Sequence, residues 1–399
     1  MSRVSNTSQP PQPLPPLVKD GVSLSAQEKE KFSRHLLLPE VGAAGQQRLR
    51  AARVLVIGAG GLGAPLLLYL AAAGVGCIGI VEFDTVDVSN LQRQVLYRAS
   101  DVGQPKLDAA AATLRERHPE LQLELHALRL DAEHALALFA QYDLVLDGSD
   151  NFGTRYLVND ACVLADKPSV WGSIYRFEGQ VSVFWENAPD GRGLNYRDLY
   201  PEPPPAALAP SCSEGGVFGV LCGVIGALMA TEAIKLICGI GQPLLGRVMH
   251  YDALQMRFRS LPLQRQPQRQ LPHTLQEIQA GCTLHSTAAE EVPQLAVQQL
   301  QQWRAVQLPH LLLDVRSSGE REIVQISGAQ HLPLAELGAQ LATLRERAQD
   351  MPLVVHCKSG IRSRQACQQL LAAGVANVHS LQGGILAWVR DIEPHLARY

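Results

Sequence analysis

The chain has 399 residues, 46% of them apolar and 18% charged, with a formal net charge of −3. That length leaves room for two or three domains of about 100–200 residues. The near-neutral balance excludes a surface built for nucleic acid or an anionic membrane. The eight cysteines stand singly, with no Cys-x-x-Cys pair. In a large chain without a signal peptide that pattern reads as reduced thiols in the cytoplasm.

Residues 1–22 are rich in Pro, Ser and Gln and read as a disordered leader. A first domain is expected over 23–261. Its opening, 25–50, has helical spacing. From Val54 strands alternate with helices: strands at 54–57, 77–82 and 144–147, helices after Gly63 and after Pro105. That order predicts an α/β fold with a doubly wound, Rossmann-like parallel sheet. No charge occurs between Arg53 and Glu82, a run long enough to cross a bilayer core of about 30 Å. Glycines from Gly58 to Gly79 interrupt it, so strand–loop–helix–strand is the better reading. The second apolar run, 217–230, falls short of the roughly 20 residues a spanning helix needs and reads as a buried core helix. A strand is expected at 180–185. A Gln/Pro/Arg-rich stretch, 262–291, reads as a linker. Beyond it, 292–399 read as a small second α/β domain, with strands at 311–315 and 353–356 and a helix at 365–373.

The run Gly58-Ala59-Gly60-Gly61-Leu62-Gly63 follows an apolar strand and opens a helix. Glycines allow a tight turn and close backbone approach, and a helix N-terminus presents N–H groups to phosphate oxygens. Asp84 ends the next strand about 20 residues on, where a carboxylate can hold a ribose. The plain alternative is a turn that only packs a helix on a sheet. NAD and ATP both fit this much. Arg34, Asn90, Arg93 and Lys106 favour ATP, because attack on its α-phosphate builds negative charge on the leaving pyrophosphate. Each cation taken singly reads as a surface salt bridge. Asp150 and Asn151 lie past the end of the 144–147 strand, at the edge where open α/β sheets bind ligands. There Asp150 can hold Mg²⁺ beside triphosphate oxygens.

Together GAGGLG, the EFD at 82–84, SNLQRQ at 89–94, GQPK at 103–106 and DGSDN at 147–151 resemble the ubiquitin-activating-like adenylyltransferases. Among these, the two-domain activators of sulfur carriers with a rhodanese tail are the nearest pattern, over roughly 27–260 and 293–392. The resemblance implies that Gly60 and Gly61 approach the phosphates, with Gly58 and Gly63 shaping the turn. It implies that Asp84 binds the ribose and that Arg93 and Lys106 bind phosphate. It also implies that Asp150 holds Mg²⁺ and that Arg34 reaches the site of a homodimer partner. The implied substrate is a ubiquitin-like carrier ending in Gly-Gly, whose carboxylate attacks ATP. Cys212, after a proline-rich segment, matches a family cysteine that accepts the acyl group or resolves an acyl-persulfide; the bland reading is a small buried side chain. Zinc-bearing relatives carry two cysteine pairs. Here Asn195 and Asp198 stand at the first pair, and the late region holds only Cys282, so no zinc is expected.

Cys357-Lys358-Ser359-Gly360-Ile361-Arg362-Ser363 follows a predicted strand and precedes a helix. A loop curling around Cys357, with Lys358 and Arg362 nearby, favours a thiolate able to carry sulfane sulfur. This loop resembles that of a rhodanese, and its sulfur donor would be thiosulfate or a cysteine desulfurase. Cys367 reads as core. The alternatives are an adenylyltransferase whose rhodanese domain only docks, an NAD-dependent oxidoreductase joined to a sulfurtransferase, and a scaffold of two inactive domains.

Overall fold

A computed structural model describes residues 13–189, 191–203, 215–275, 292–349 and 351–399. The chain divides into two compact units, Met1–Leu284 and His285–Tyr399.

The first unit is built on an eight-stranded sheet. Its strands are β1 Arg53–Ile57, β2 Cys77–Val81, β3 Gln122–His126, β4 Leu144–Asp147, β5 Ser169–Tyr175, β6 Glu178–Phe184, β7 Arg247–Asp252 and β8 Arg257–Pro262. They lie in the order β3-β2-β1-β4-β5-β6-β7-β8. The first five are parallel and the last three antiparallel. β2 and β4 are wholly buried, which is why they read as unbroken apolar runs. The chain reverses its order across the sheet between β1 and β4, and this opens a crevice at the strands' carboxyl ends. Ile57 pairs with Val81 on one side and Asp147 on the other. That register sets the segments after Ile57, Val81 and Asp147 side by side.

The 25–50 stretch forms three helices, Ala26–Lys31, Ser33–Leu36 and Gly42–Ala51. Phe32 leaves helical geometry with ψ of 14°, Pro39 disfavours a helical Leu38, and Gly42 takes φ of +53°. The apolar core helix runs Gly219–Cys238, 20 residues, longer than the charge-free run expected. Glu232 does not end it, because its carboxylate is buried and satisfied: Oε1 accepts from Lys235 Nζ at 2.5 Å and Oε2 from Leu244 N at 2.7 Å. By length and composition this helix could cross a membrane; here it packs on β5, β6 and the Gly63–Ala73 helix inside the first unit. The stretch read as a linker starts differently. Strand β8 runs to Pro262, Arg269 is buried against Glu186 and Asp198, and Leu275 enters a core cluster. Residues 276–291 lie outside the described residues.

The second unit has five parallel strands: β9 Gln294–Leu295, β10 Leu311–Asp314, β11 Gln330–His331, β12 Leu353–His356 and β13 Val378–Leu381. Their order is β11-β10-β12-β13-β9. Central β12 is fully buried and ends immediately before Cys357; the next helix, Ile361–Ala372, starts four residues earlier than expected.

Candidate functional site

A cavity of about 160 Å³, open to solvent, lies at the crevice of the first unit. The glycine turn forms its floor. Gly58 has φ of +86° and donates its N–H to Val81 O at 2.9 Å. A Cβ on Gly63 would stand 2.0 Å from Gly58 O, so the helix can only begin this close to the turn with glycine there. Glu82 pins the turn from beneath. Its Oε2 accepts from Ala59 N at 2.9 Å, and its Oε1 from Phe83 N at 2.8 Å and Asp84 N at 2.9 Å. Tyr97 donates its hydroxyl to Ala59 O at 2.8 Å. The N-terminus of the Gly63–Ala73 helix therefore faces the cavity on a fixed loop, the arrangement that suits phosphate.

Gly58, Gly60, Gly61, Asp84, Arg93, Lys106, Asp150 and Asn151 all line this one cavity. Lys106 opens the Lys106–Arg117 helix; its N–H donates to Asp84 O at 2.9 Å and its Nζ to Asp84 Oδ2 at 3.2 Å. The Lys106 side chain is 8% exposed and Asp84's is 52% exposed, so a buried cation is met by a carboxylate that still faces solvent. Arg93 donates Nη1 to Ser89 O at 3.0 Å. Asn151 caps the Phe152–Leu164 helix through Thr154 N at 2.9 Å. Burial pushes the Asp147 carboxyl up, against the N–H of Ser149 that bonds it at 2.9 Å.

Three expected residues stand elsewhere. Gly63 shapes the turn without lining the cavity. Asn90 is not in the wall; its Oδ1 accepts from Asp87 N at 3.1 Å and caps a short turn. Arg34 is exposed on the Ser33–Leu36 helix, away from the cavity lining. Cys212 lies outside the described residues. Conversely, the wall contains Gln94, Arg129 and Arg155, which the sequence reading did not single out. Gln94 Oε1 is buried without a hydrogen-bond partner among the described residues. Arg155 donates to Ser149 O from Nε and Nη2 at 3.3 and 3.2 Å and stacks over Phe152 and Trp171. Arg129 follows β3 at its carboxyl end, and that placement is the one signal that would have found it.

In the second unit Cys357 is 1% exposed. Gly360 N donates to its Sγ at 3.1 Å, and Ser363 Oγ lies 3.6 Å from it. Ser363 is itself held by Gly360 O at 3.2 Å and Ser380 Oγ at 2.8 Å. Gly360 has φ of +102°, which turns the loop back over the sulfur at the N-terminus of the Ile361–Ala372 helix. A second helix, Gly384–Asp391, holds the loop from behind: Ile385 N donates to Cys357 O at 2.9 Å and Leu386 N to Lys358 O at 3.2 Å. A Cβ on Gly384 would stand 2.5 Å from both carbonyl oxygens. Gly384→Ala should therefore destabilise the second unit by about 1–3 kcal/mol, read by denaturant unfolding of the full chain. The cations expected beside Cys357 are engaged elsewhere. Arg362 forms a two-pronged bond to Glu320 at 2.8 and 2.7 Å, and Lys358 Nζ sits 4.7 Å from the Tyr399 ring centre.

His356, next to Cys357, is wholly buried, and neither ring nitrogen has a hydrogen-bond partner among the described residues. Desolvation lowers its pKa from 6.5 to about 4, against the nearby Asp314 carboxylate. The unfolded chain takes up this proton near pH 6.5 and the folded one only near 4. Stability is thus fully present above pH 6.5 and falls as pH drops toward 4. His356→Leu should flatten that part of the second unit's unfolding profile, measured by thermal melts from pH 7 to pH 4.

Residues 32–273 match the ThiF family and residues 294–391 the rhodanese-like domain. The chain belongs to the ThiF family. The probable adenylyltransferase/sulfurtransferase MoeZ of Mycobacterium tuberculosis is 51% identical over 391 residues, covering 97% of this chain and 99% of that protein. The adenylyltransferase and sulfurtransferase MOCS3 of Bos taurus is 39% identical over 428 residues, covering 99% of this chain and 92% of that protein. The sulfur carrier protein adenylyltransferase of Thermus thermophilus is 53% identical over 242 residues, 60% of this chain and 89% of that protein. Among solved structures, Escherichia coli MccB with ATP shares the fold at a TM-score of 0.52 and 24% identity, over 62% of this chain and 75% of that one. The ThiF-family region thus contains the glycine turn and its cavity, and the rhodanese-like domain contains Cys357.

Proposed function

We propose that this chain activates the C-terminal carboxylate of a ubiquitin-like sulfur-carrier protein with ATP and then places sulfur on it. It is an adenylyltransferase and a sulfurtransferase, the two activities that the names of its full-length relatives carry. The observation that carries the reading is the convergence of the glycine turn, Asp84, Arg93 and Lys106 on one cavity at the sheet's carboxyl edge.

In this reading the N–H groups at Gly60 and Gly61 and the cations Arg93 and Lys106 hold the triphosphate, while Asp84 takes the ribose. Gln94, Arg129 and Arg155 complete the wall, and Arg34 acts from the second subunit of a cytoplasmic homodimer. The exposed Asp150 carboxylate in the cavity wall suits Mg²⁺. When bound, that ion supplies charge neutralisation for triphosphate oxygens. The carrier's terminal carboxylate oxygen attacks the α-phosphorus, and pyrophosphate leaves. Lys106 and Arg93 stabilise the charge that develops there, and they exert more force in a partly dehydrated cavity than in water.

Cys357 serves as the sulfur carrier of the second unit. The Gly360 N–H donates to its sulfur at 3.1 Å, at the start of the Ile361–Ala372 helix. Sulfane sulfur from thiosulfate or a cysteine desulfurase converts it to a persulfide. The outer sulfur of the persulfide attacks the acyl-adenylate carbon, and AMP leaves. A second thiol, Cys212 in this reading, attacks the Cys357 sulfur. It forms a disulfide with Cys357 and releases the carrier thiocarboxylate; an external dithiol must reduce that disulfide before the next cycle.

No structural zinc belongs to this account. Asn195 and Asp198 are taken up by Glu186 and Arg269 in buried hydrogen bonds and ion pairs. The experiment is isotopic pyrophosphate exchange into ATP with a Gly-Gly-tailed carrier and Mg²⁺. Exchange that requires the carrier supports the reading. Binding of NAD in place of ATP, with no exchange for any such carrier, overturns it.

A further inference from the structure

A chain of two hydroxyls reaches the Cys357 sulfur from a different strand. β13 pairs with β12 in the register Val355↔Ser380, so Ser380 stands beside the end of the strand that leads into Cys357. Ser380 is fully buried, and its N–H is fixed on Pro293 O at 2.8 Å. Its Oγ lies 2.8 Å from Ser363 Oγ. Ser363 is also fully buried, and its Oγ lies 3.6 Å from Cys357 Sγ. Ser363 Oγ further donates to Gly360 O at 3.2 Å.

The direction of these bonds follows from the protons available. Each serine hydroxyl has one proton and two lone pairs. Ser363 Oγ is the one side-chain partner of the Ser380 hydroxyl among the described residues, and both serines are closed to solvent. Were Ser363 the donor, the Ser380 proton would be buried with no acceptor, which costs more than a hydrogen bond returns. Ser380 is therefore the donor, and the Ser363 proton is left for another acceptor. Gly360 O does not depend on it, because that carbonyl also accepts from Arg364 N and Arg364 Nε, both at 3.2 Å. The Cys357 sulfur is the other acceptor in reach. It gains most from a donor when an electron pair arrives on it, since hydrogen bonds to a charged acceptor are about twice as strong as neutral ones. The Gly360 N–H at 3.1 Å is one donor already in place there. We propose that Ser380 is a positioning residue for sulfur discharge. It holds Ser363 Oγ with its proton turned to Cys357 as an S–S bond at that sulfur breaks toward it. This rests on the reading of Cys357 as the sulfur carrier.

Cyanide is the probe, added to the full chain after loading with thiosulfate. The cyanide carbon attacks the outer sulfur of the persulfide, the S–S bond breaks, its electron pair goes to Cys357 Sγ, and thiocyanate leaves. Ser380→Ala should slow this discharge roughly 3–10-fold, the worth of one hydrogen bond, with the KM for thiosulfate within about twofold of wild type. Ser380→Thr, which keeps the hydroxyl, should discharge within about twofold of wild type. Ser363→Ala should slow discharge at least as much as Ser380→Ala, and adding Ser380→Ala to it should do nothing more. Should Ser380→Ala lower the second unit's unfolding temperature, Ser380→Cys replaces it, since it keeps the side-chain volume and is a weak donor. The proposal is overturned if Ser380→Ala discharges at the wild-type rate, or if the Ser363 and Ser380 effects multiply. It is equally overturned if Ser380→Thr, melting with wild type, is as slow as Ser380→Ala. Thiocyanate formation that survives Cys357→Ala would instead overturn the underlying assignment of the sulfur carrier.

Discussion

Replacing Lys106 with alanine should lower carrier-dependent pyrophosphate exchange about 10²–10³-fold, the cost of removing one preorganised charge donor from a developing anion. Lys106 is the most deeply buried of the cavity's expected cations, with 8% of its side chain exposed. It starts its helix directly behind Pro105, and its backbone N–H is tied to Asp84 O at 2.9 Å. The ammonium is held by burial of its stem and by Asp84 Oδ2 at 3.2 Å, and a charge held in place before the reaction is the effective kind in a transition state. Its carboxylate partner is half exposed, so the variant leaves no buried charge stranded. Folding should change little, and the loss should sit in the chemistry. Exchange rates within fivefold of wild type would mean that Lys106 only braces the Asp84 turn.

A larger effect on folding is expected at Arg269. Its guanidinium bonds the Asp198 carboxylate through Nη1 and Glu186 Oε1 through Nη2 at 2.6 Å. Asp198 also accepts from Asn195 N and Gln266 N, both at 2.8 Å; Glu186 also accepts from Asn195 Nδ2 at 2.8 Å and Arg265 Nη2 at 3.0 Å. The side chains of Arg269, Glu186 and Asp198 are 4%, 5% and 0% exposed. Deleting the arginine leaves two buried carboxylates short of positive charge. Breaking a buried pair in this way costs about 3–5 kcal/mol. Arg269→Ala should therefore lower the denaturant midpoint of the first unit by that equivalent. Arg269→Lys, a point charge unable to fork between two carboxylates, should recover only part of it. A loss under about 1 kcal/mol, the size of an exposed pair, would show that solvent reaches the cluster.

The cluster also explains where the sequence stopped being readable. Arg269 meets Asp198 across 71 positions, and no local pattern announces such a pairing. A Gln/Pro/Arg-rich run looks like a linker until its arginines find buried carboxylates. The parallel half of the sheet was legible because β2 and β4 are buried on both faces and must be apolar throughout. The antiparallel half was less so: β8 is exposed along its whole length and shows no alternation. The glycine turn and Lys106 could be read because strand, turn and helix start follow one another in the chain. Arg129 reaches the same cavity only through a crossover of the sheet, whereas Gln94 and Arg155 stand one and four residues past Arg93 and Asn151 and carry no signal of their own. Asn90 shows the opposite failure. It sits in a motif, yet its side chain is spent on capping a turn.

The central claim is that one chain converts a carrier's carboxylate to a thiocarboxylate through ATP and Cys357. Intact mass of a Gly-Gly-tailed carrier tests it, after incubation with the full chain, ATP, Mg²⁺, thiosulfate and a dithiol. The account predicts an oxygen-for-sulfur mass increase and release of AMP, with the mass increase lost and carrier-dependent exchange kept in Cys357→Ala. An unchanged carrier mass with no AMP formed, across such carriers, would contradict it.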